Sequence, residues 1–183
     1  MSIVFKNVTK AYDTSVLENL SLEFADGKIT ALLGTSGRGK TTVLRLLSGL
    51  EKADGGTVSV SGRVGYLFQE HRLLPHLSAF ENVRIVCGDS EKAKDAMALC
   101  LADELVDKMP DEMSGGERQR VSLARLVAFG GDIWLMDEPF SALDFDTKET
   151  VIQNIMPLLR ERTVVMVTHS EEEALIADGI IRI

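Results

Sequence analysis

Nine residues, Gly34-Thr35-Ser36-Gly37-Arg38-Gly39-Lys40-Thr41-Thr42, constrain this chain more than any other stretch. They match the pattern G-x-x-x-x-G-K-[ST]. Before them runs Ile29–Leu33, short, apolar and ending at Gly34, as a buried parallel strand would. After them, Val43, Leu44, Leu47 and Leu50 recur at helical spacing and predict a helix over 40–50. Strand, glycine-rich turn and helix in that order make an anion cradle. The glycines let backbone N–H groups turn inward, and the helix presents its positive end to the same anion. Lys40 adds a mobile charge for terminal phosphates, and the Thr41 hydroxyl can ligate Mg²⁺. A chance glycine-rich turn lacks this strand-to-helix context.

The remaining pattern alternates strands with helices, which argues a parallel α/β core. Ile3, Phe5 and Val8, then Leu20, Leu22 and Phe24, read as half-buried strands of an antiparallel sheet near the N-terminus. Further strands are expected at 57–60, 64–68, 133–136, 163–167 and 180–183. Helices are expected at 78–86, 90–101, 115–129, 144–156 and 170–177. Pro157 should stop or kink the fifth of these six predicted helices, and Glu171-Glu172-Glu173 reads as a solvated helix start. Residues about 70–129 are mostly helical and read as a subdomain inserted into the core. A chain of 183 residues buries enough surface to need no staple. Cys87 and Cys100 fit neither a metal nor a disulfide pattern and suggest a reducing compartment. No apolar run approaches the ~20 residues of a membrane span. A net charge of −8 argues against a nucleic-acid footprint.

Ile133-Trp134-Leu135-Met136-Asp137-Glu138-Pro139 is an apolar strand ending in two acids. A buried strand delivers its last side chains to the sheet edge where ligands bind in α/β folds. Asp137 is placed to hold Mg²⁺, and Glu138 to orient or deprotonate an attacking water, help worth ~10²–10⁴-fold in rate. An ordinary strand end also carries acids; the pairing with the phosphate loop separates the two readings.

With both motifs in order, the chain resembles the nucleotide-binding subunits of ATP-binding cassette (ABC) transporters along nearly its whole length. Met113-Ser114-Gly115-Gly116-Glu117 is similar to the family signature L-S-G-G-Q. Gln69 sits where the Q-loop glutamine sits, Ser141-Ala142-Leu143-Asp144 matches the D-loop, and His169 matches the switch histidine. Tyr12 resembles the aromatic that stacks on adenine. The resemblance implies an α/β P-loop NTPase core with a mostly parallel sheet, an antiparallel β subdomain and an inserted helical subdomain. It also implies Mg-ATP hydrolysis, with Gln69 contacting Mg²⁺ and water and His169 the γ-phosphate. Two copies would meet head to tail when ATP binds, Ser114 touching the nucleotide of the other copy. Ser114-Gly115-Gly116 opens a helix, so an anion site without a lysine is physically reasonable there, although a plain helix cap fits the residues alone. The implied partners are separate transmembrane permease subunits and, in an importer, a solute-binding protein, at the cytoplasmic face of the membrane.

Departures from the family pattern are Met113 for leucine, Glu117 for glutamine and Arg38 at the tip of the phosphate loop. Glu117 brings a negative charge to a phosphate site, while Arg38 either adds a cation there or points to solvent. The chain also reads as short for the family at its C-terminus. Gln69-Glu70-His71-Arg72-Leu73-Leu74-Pro75 resembles the importers of sulfonate, taurine and nitrate type. Two other readings use the same motifs: a soluble ABC ATPase without a transport role, and a regulatory module that dimerises on ATP without turnover.

Overall fold

A computed structural model describes residues 3–183. Two sheets carry the architecture: an antiparallel one in the order β2-β1-β4 and a five-stranded one in the order β5-β6-β7-β3-β8. The strands are β1 (Ile3–Ala11), β2 (Ser15–Phe24), β3 (Ile29–Leu33), β4 (Gly55–Val60), β5 (Val64–Leu67), β6 (Ile133–Asp137), β7 (Thr163–Thr168) and β8 (Gly179–Arg182). The helices are α1 (Lys40–Leu47), α2 (Ala79–Cys87), α3 (Ser90–Leu99), α4 (Gly115–Phe129), α5 (Phe145–Arg160) and α6 (Glu171–Ala174). No helix among the described residues is long and apolar enough to cross a membrane.

β3, β6 and β7 are buried at every position, which is why their sequences are continuous apolar runs rather than alternations. β1 and β2 explain a different pattern. Ile3, Phe5 and Val8 are buried, so the alternation slips by one after Phe5. Asn7 takes a left-handed conformation (φ 50°), and the pairing register shifts between Phe5 and Val8. Asn19 (φ 50°) does the same between Leu17 and Leu20. Such bulges re-aim the rest of a strand, and asparagine tolerates the required backbone. Both halves of each strand thereby face one core, where Phe5 and Phe24 meet edge to face with ring centroids 6.3 Å apart.

The chain divides into two compact units. Among the described residues, the first holds 3–66, 131–138 and 159–183, and the second holds 67–130 and 139–158. In the first, Val43, Leu44, Leu46 and Leu47 of α1 pack with Leu32, Leu135 and Val165. In the second, α2, α3 and α4 pack against one another. Residues 139–158, beyond the helical span expected at 70–129, group with them.

Four local expectations are corrected. Of the two outcomes expected at Pro157, a stop or a kink, the stop does not occur, and α5 runs on to Arg160. Pro157 and Gln153 are both exposed, so the carbonyl left without its N–H partner faces solvent, where water can take its place. The acidic run that opens α6 is not simply solvated: Glu173 is buried and accepts a 2.7 Å hydrogen bond from the Thr168 hydroxyl. The helix expected over 40–50 ends at Leu47, and that over 170–177 covers only Glu171–Ala174.

Candidate functional site

The phosphate loop joins β3 to α1 inside the first unit. Gly39 is its pivot, with φ 85° as the N-cap of α1 and no side chain capping that helix. A Cβ there would lie 2.8 Å from Leu17 Cδ2 and 3.3 Å from the Val16 carbonyl oxygen, so β2 presses against the loop and leaves room only for glycine. Uncapped, α1 keeps its first N–H groups for a ligand. Lys40 is buried, and its ammonium donates to the carbonyls of Gly34 (2.7 Å) and Thr35 (2.9 Å). Its charge is thus held over the loop by the loop's own backbone. Ser36 and Arg38 are exposed at the tip.

Asp137 ends β6, buried, with the Thr41 hydroxyl hydrogen-bonded to its carboxylate. Burial, opposed by that bond, raises its pKa above the ordinary carboxylate value, and the nearby Glu138 charge adds to the rise. An oxygen pair of this kind, hydroxyl beside carboxylate, fits Mg²⁺, which prefers hard oxygen ligands and keeps several waters. Glu138 follows with φ 50°, an uncommon conformation for a residue with a side chain. Its N–H donates to the Val167 carbonyl at 2.9 Å, and its carboxylate lies 3.3 Å from His169 Nδ1. Parallel pairing of Asp137 with Val167 sets β6 and β7 in register, and this brings Glu138 and His169 together although 31 positions separate them. Thr168 steadies the turn, since its hydroxyl also accepts the Ser170 N–H at 3.0 Å.

Tyr12 follows β1 with half its surface exposed. Its hydroxyl donates to the Glu51 carboxylate, which Arg45 also engages at 3.3 Å. The Lys10 ammonium sits 5.4 Å from the ring centroid. The ring is held at its hydroxyl end, half exposed, with the Lys10 ammonium over it.

The second unit holds the remaining predicted residues. Ser114 caps α4: its hydroxyl accepts the Glu117 N–H (3.2 Å), and the Glu117 carboxylate accepts the Ser114 N–H (2.7 Å). Glu117 also pairs with the Lys108 ammonium at 2.6 Å. The Lys108 ammonium first, and then the Ser114 N–H, hold the Glu117 carboxyl at about 2, down from 4.5. Gly116 lies close to the D-loop: a Cβ there would be 3.0 Å from the Ala142 carbonyl oxygen. Ser141 and Ala142 are exposed, the Leu143 N–H donates to the Phe140 carbonyl (3.1 Å), and Asp144 accepts the Thr147 N–H (3.0 Å) at the start of α5. Gln69 is exposed just after β5.

Several supporting residues were not singled out from the sequence. Gln119, buried on α4, donates to the Pro139 carbonyl at 2.6 Å, tying the signature helix to the segment after Glu138. Ser122 and Arg125 donate to the His71 carbonyl, and Arg125 also to that of Arg72, anchoring the loop that follows Gln69. Asn82, fully buried, donates to the carbonyls of Leu74, Leu77 and Ser78. A polar residue on the apolar face of a predicted helix is the available signal for Gln119 and Asn82. Their partners, chosen by packing, are not visible from it.

Residues 17–141 match the family model described as ABC transporter. The chain is 38% identical to the sulfate/thiosulfate import ATP-binding protein CysA of Bacillus cereus, over 99% of this chain and 58% of that protein. It is 39% identical to the spermidine/putrescine import ATP-binding protein PotA of Nitratidesulfovibrio vulgaris, over 94% of this chain and 53% of that one. The chain therefore spans just over half the length of these relatives. Among solved structures, the dimeric bacterial ABC transporter cassette MJ0796 superposes with a TM-score of 0.93 at 29% identity, covering 99% of this chain and 94% of that one. The same cassette in a post-hydrolysis state bound to ADP and Pi superposes equally well.

Proposed function

This chain belongs to the ABC transporter family, and on that premise we propose that it binds and hydrolyses Mg-ATP to drive an import system. One observation carries the reading: Lys40, Thr41, Asp137, Glu138 and His169 converge at the ends of β3, β6 and β7. The loop N–H groups and Lys40 would take the β- and γ-phosphates. Thr41 and Asp137 would hold Mg²⁺, which supplies charge neutralisation on those phosphates when bound. Glu138 orients a water for in-line attack and accepts its proton as the new P–O bond forms. The bond from the γ-phosphorus to the bridging oxygen breaks, and ADP and inorganic phosphate leave. His169 would donate a hydrogen bond to the γ-phosphate, and Gln69, by its match to the family's glutamine, would supply an oxygen ligand for Mg²⁺. Tyr12 would offer the exposed part of its ring to adenine.

We propose further that two copies close head to tail on ATP, each signature loop facing the nucleotide of the other, and part after hydrolysis. The dimeric cassettes support this arrangement. The names of the relatives support transmembrane permease partners and a place at the cytoplasmic side of the membrane. Those relatives are named for sulfate, thiosulfate and polyamines, so the solute stays unassigned. Steady-state phosphate release by the unsubstituted chain and by Glu138→Gln tests the reading. The substitution is expected to lower turnover ~10²–10⁴-fold while ATP binding persists. Equal, near-zero turnover in both with tight ATP binding would instead favour a non-hydrolysing regulatory module.

A further inference from the structure

The Glu117 carboxylate is an oddity at this place: a full negative charge in the first turn of the helix proposed to receive phosphates. Its two oxygens are both engaged. One accepts the Ser114 N–H at 2.7 Å, and the other meets the Lys108 ammonium at 2.6 Å. The lysine is itself anchored on both sides through its backbone. Its N–H donates to the Leu105 carbonyl at 2.9 Å, and its carbonyl accepts the Ala79 N–H, also at 2.9 Å, at the start of α2. The segment that follows it is fixed too, since Arg118 donates to the Pro110 carbonyl at 3.3 Å and Glu112 accepts the Met109 N–H at 2.8 Å. A braced backbone thus fixes where the Lys108 side chain starts, and from there the half-exposed side chain reaches Glu117.

We infer that Lys108 is a positioning residue for the signature loop: it pins the Glu117 carboxylate into the capping box and cancels its charge, so the loop can accept a polyphosphate. The inference rests on the proposed function and adds a residue that lies outside the signature itself. The capping box alone would leave the negative charge in place, because a carboxylate accepting an N–H keeps its charge. Only the ammonium removes the repulsion from the phosphates of an incoming nucleotide. Lys108 and Glu117 then act as a unit, and the lysine matters because the signature ends in an acid.

The test is a double-substitution cycle on the full chain, reading the ATP concentration that half-saturates phosphate release alongside the maximal rate. Lys108→Met should raise the half-saturating concentration about tenfold, the size of one partly screened unit charge at close range, with a much smaller change in maximal rate. Lys108→Arg, which keeps the charge, should stay near the unsubstituted value. In a Glu117→Gln background, adding Lys108→Met should change the half-saturating concentration by less than about twofold, since the partners are coupled. If Lys108→Met does not fold, Lys108→Gln must show the same dependence on background. A lysine that served only the fold would lower the melting temperature and leave the half-saturating ATP concentration of the folded chain unmoved in both backgrounds. That result, or no effect in either, overturns the inference while leaving the proposed function intact. Absence of turnover in the unsubstituted chain would instead remove the proposed function, and this inference with it.

Discussion

α1 and α4 both begin at glycine-containing turns, and both are proposed to face phosphate, yet they handle their first N–H groups in opposite ways. α1 has Gly39 at its cap, no side chain on its N–H groups, and a lysine folded over the loop. α4 is closed by its own residues: Ser114 takes the N–H of Glu117, and Glu117 takes the N–H of Ser114. The first helix end is left polar and open, as suits the proposed anion site, and this costs stability until the site is filled. The second is satisfied in advance and offers a ligand the Ser114 hydroxyl and the N–H groups of Gly115 and Gly116. The difference teaches that one helix terminus can be built to capture an anion and another to complete a site already charged.

Lys40→Ala breaks the comparison most severely. It should cut turnover by about 10²–10³-fold, as loss of one electrostatic stabiliser typically does, and should weaken nucleotide binding to the dilute chain. Ser114→Ala should separate the two ends. Turnover is expected to fall by about tenfold or more through the lost contact, while nucleotide affinity of the dilute chain stays unchanged by fluorescence titration. A stability loss of about 1 kcal/mol from the missing cap should accompany it. Should Ser114→Ala weaken nucleotide binding as much as Lys40→Ala, the two ends do the same job and the contrast fails.

Asp137→Asn sharpens the cost of the open site. Burial raises the Asp137 pKa, so the fold carries this charge less readily than the unfolded chain does. A neutral amide, still able to accept from Thr41, should raise the nucleotide-free melting temperature. Turnover should nevertheless be lost. The smallest effect concerns α4. The Glu117 pKa is depressed from 4.5 to about 2, so its ion pair stabilises the fold above the upper value and is lost as pH falls toward the lower. Between those values, Glu117→Gln should show a shallower loss of melting temperature than the unsubstituted chain. Parallel curves would mean that Lys108 and Glu117 contribute nothing to the fold.

The sequence by itself determined the contiguous parts of this protein. The phosphate loop, its strand and its helix are legible because each residue acts on near neighbours, through glycine torsions, helix periodicity and one lysine. The α/β class follows from the alternation of buried runs with amphipathic ones, and the carboxylate pair from where such a run ends. Even the bulges at Asn7 and Asn19 left a trace, as a slip in the alternation of Phe5 to Val8 and Leu17 to Leu20. Tertiary structure alone decided which distant residues meet. Glu138 reaches His169 because β6 and β7 are neighbours in register. Gln119 finds the Pro139 carbonyl, Lys108 finds Glu117, and Thr168 draws Glu173 into the interior. Hydrophobic period states which face of an element is buried, but not which element covers it. Strand order and helix packing settle that choice, and with it every polar contact made across the core.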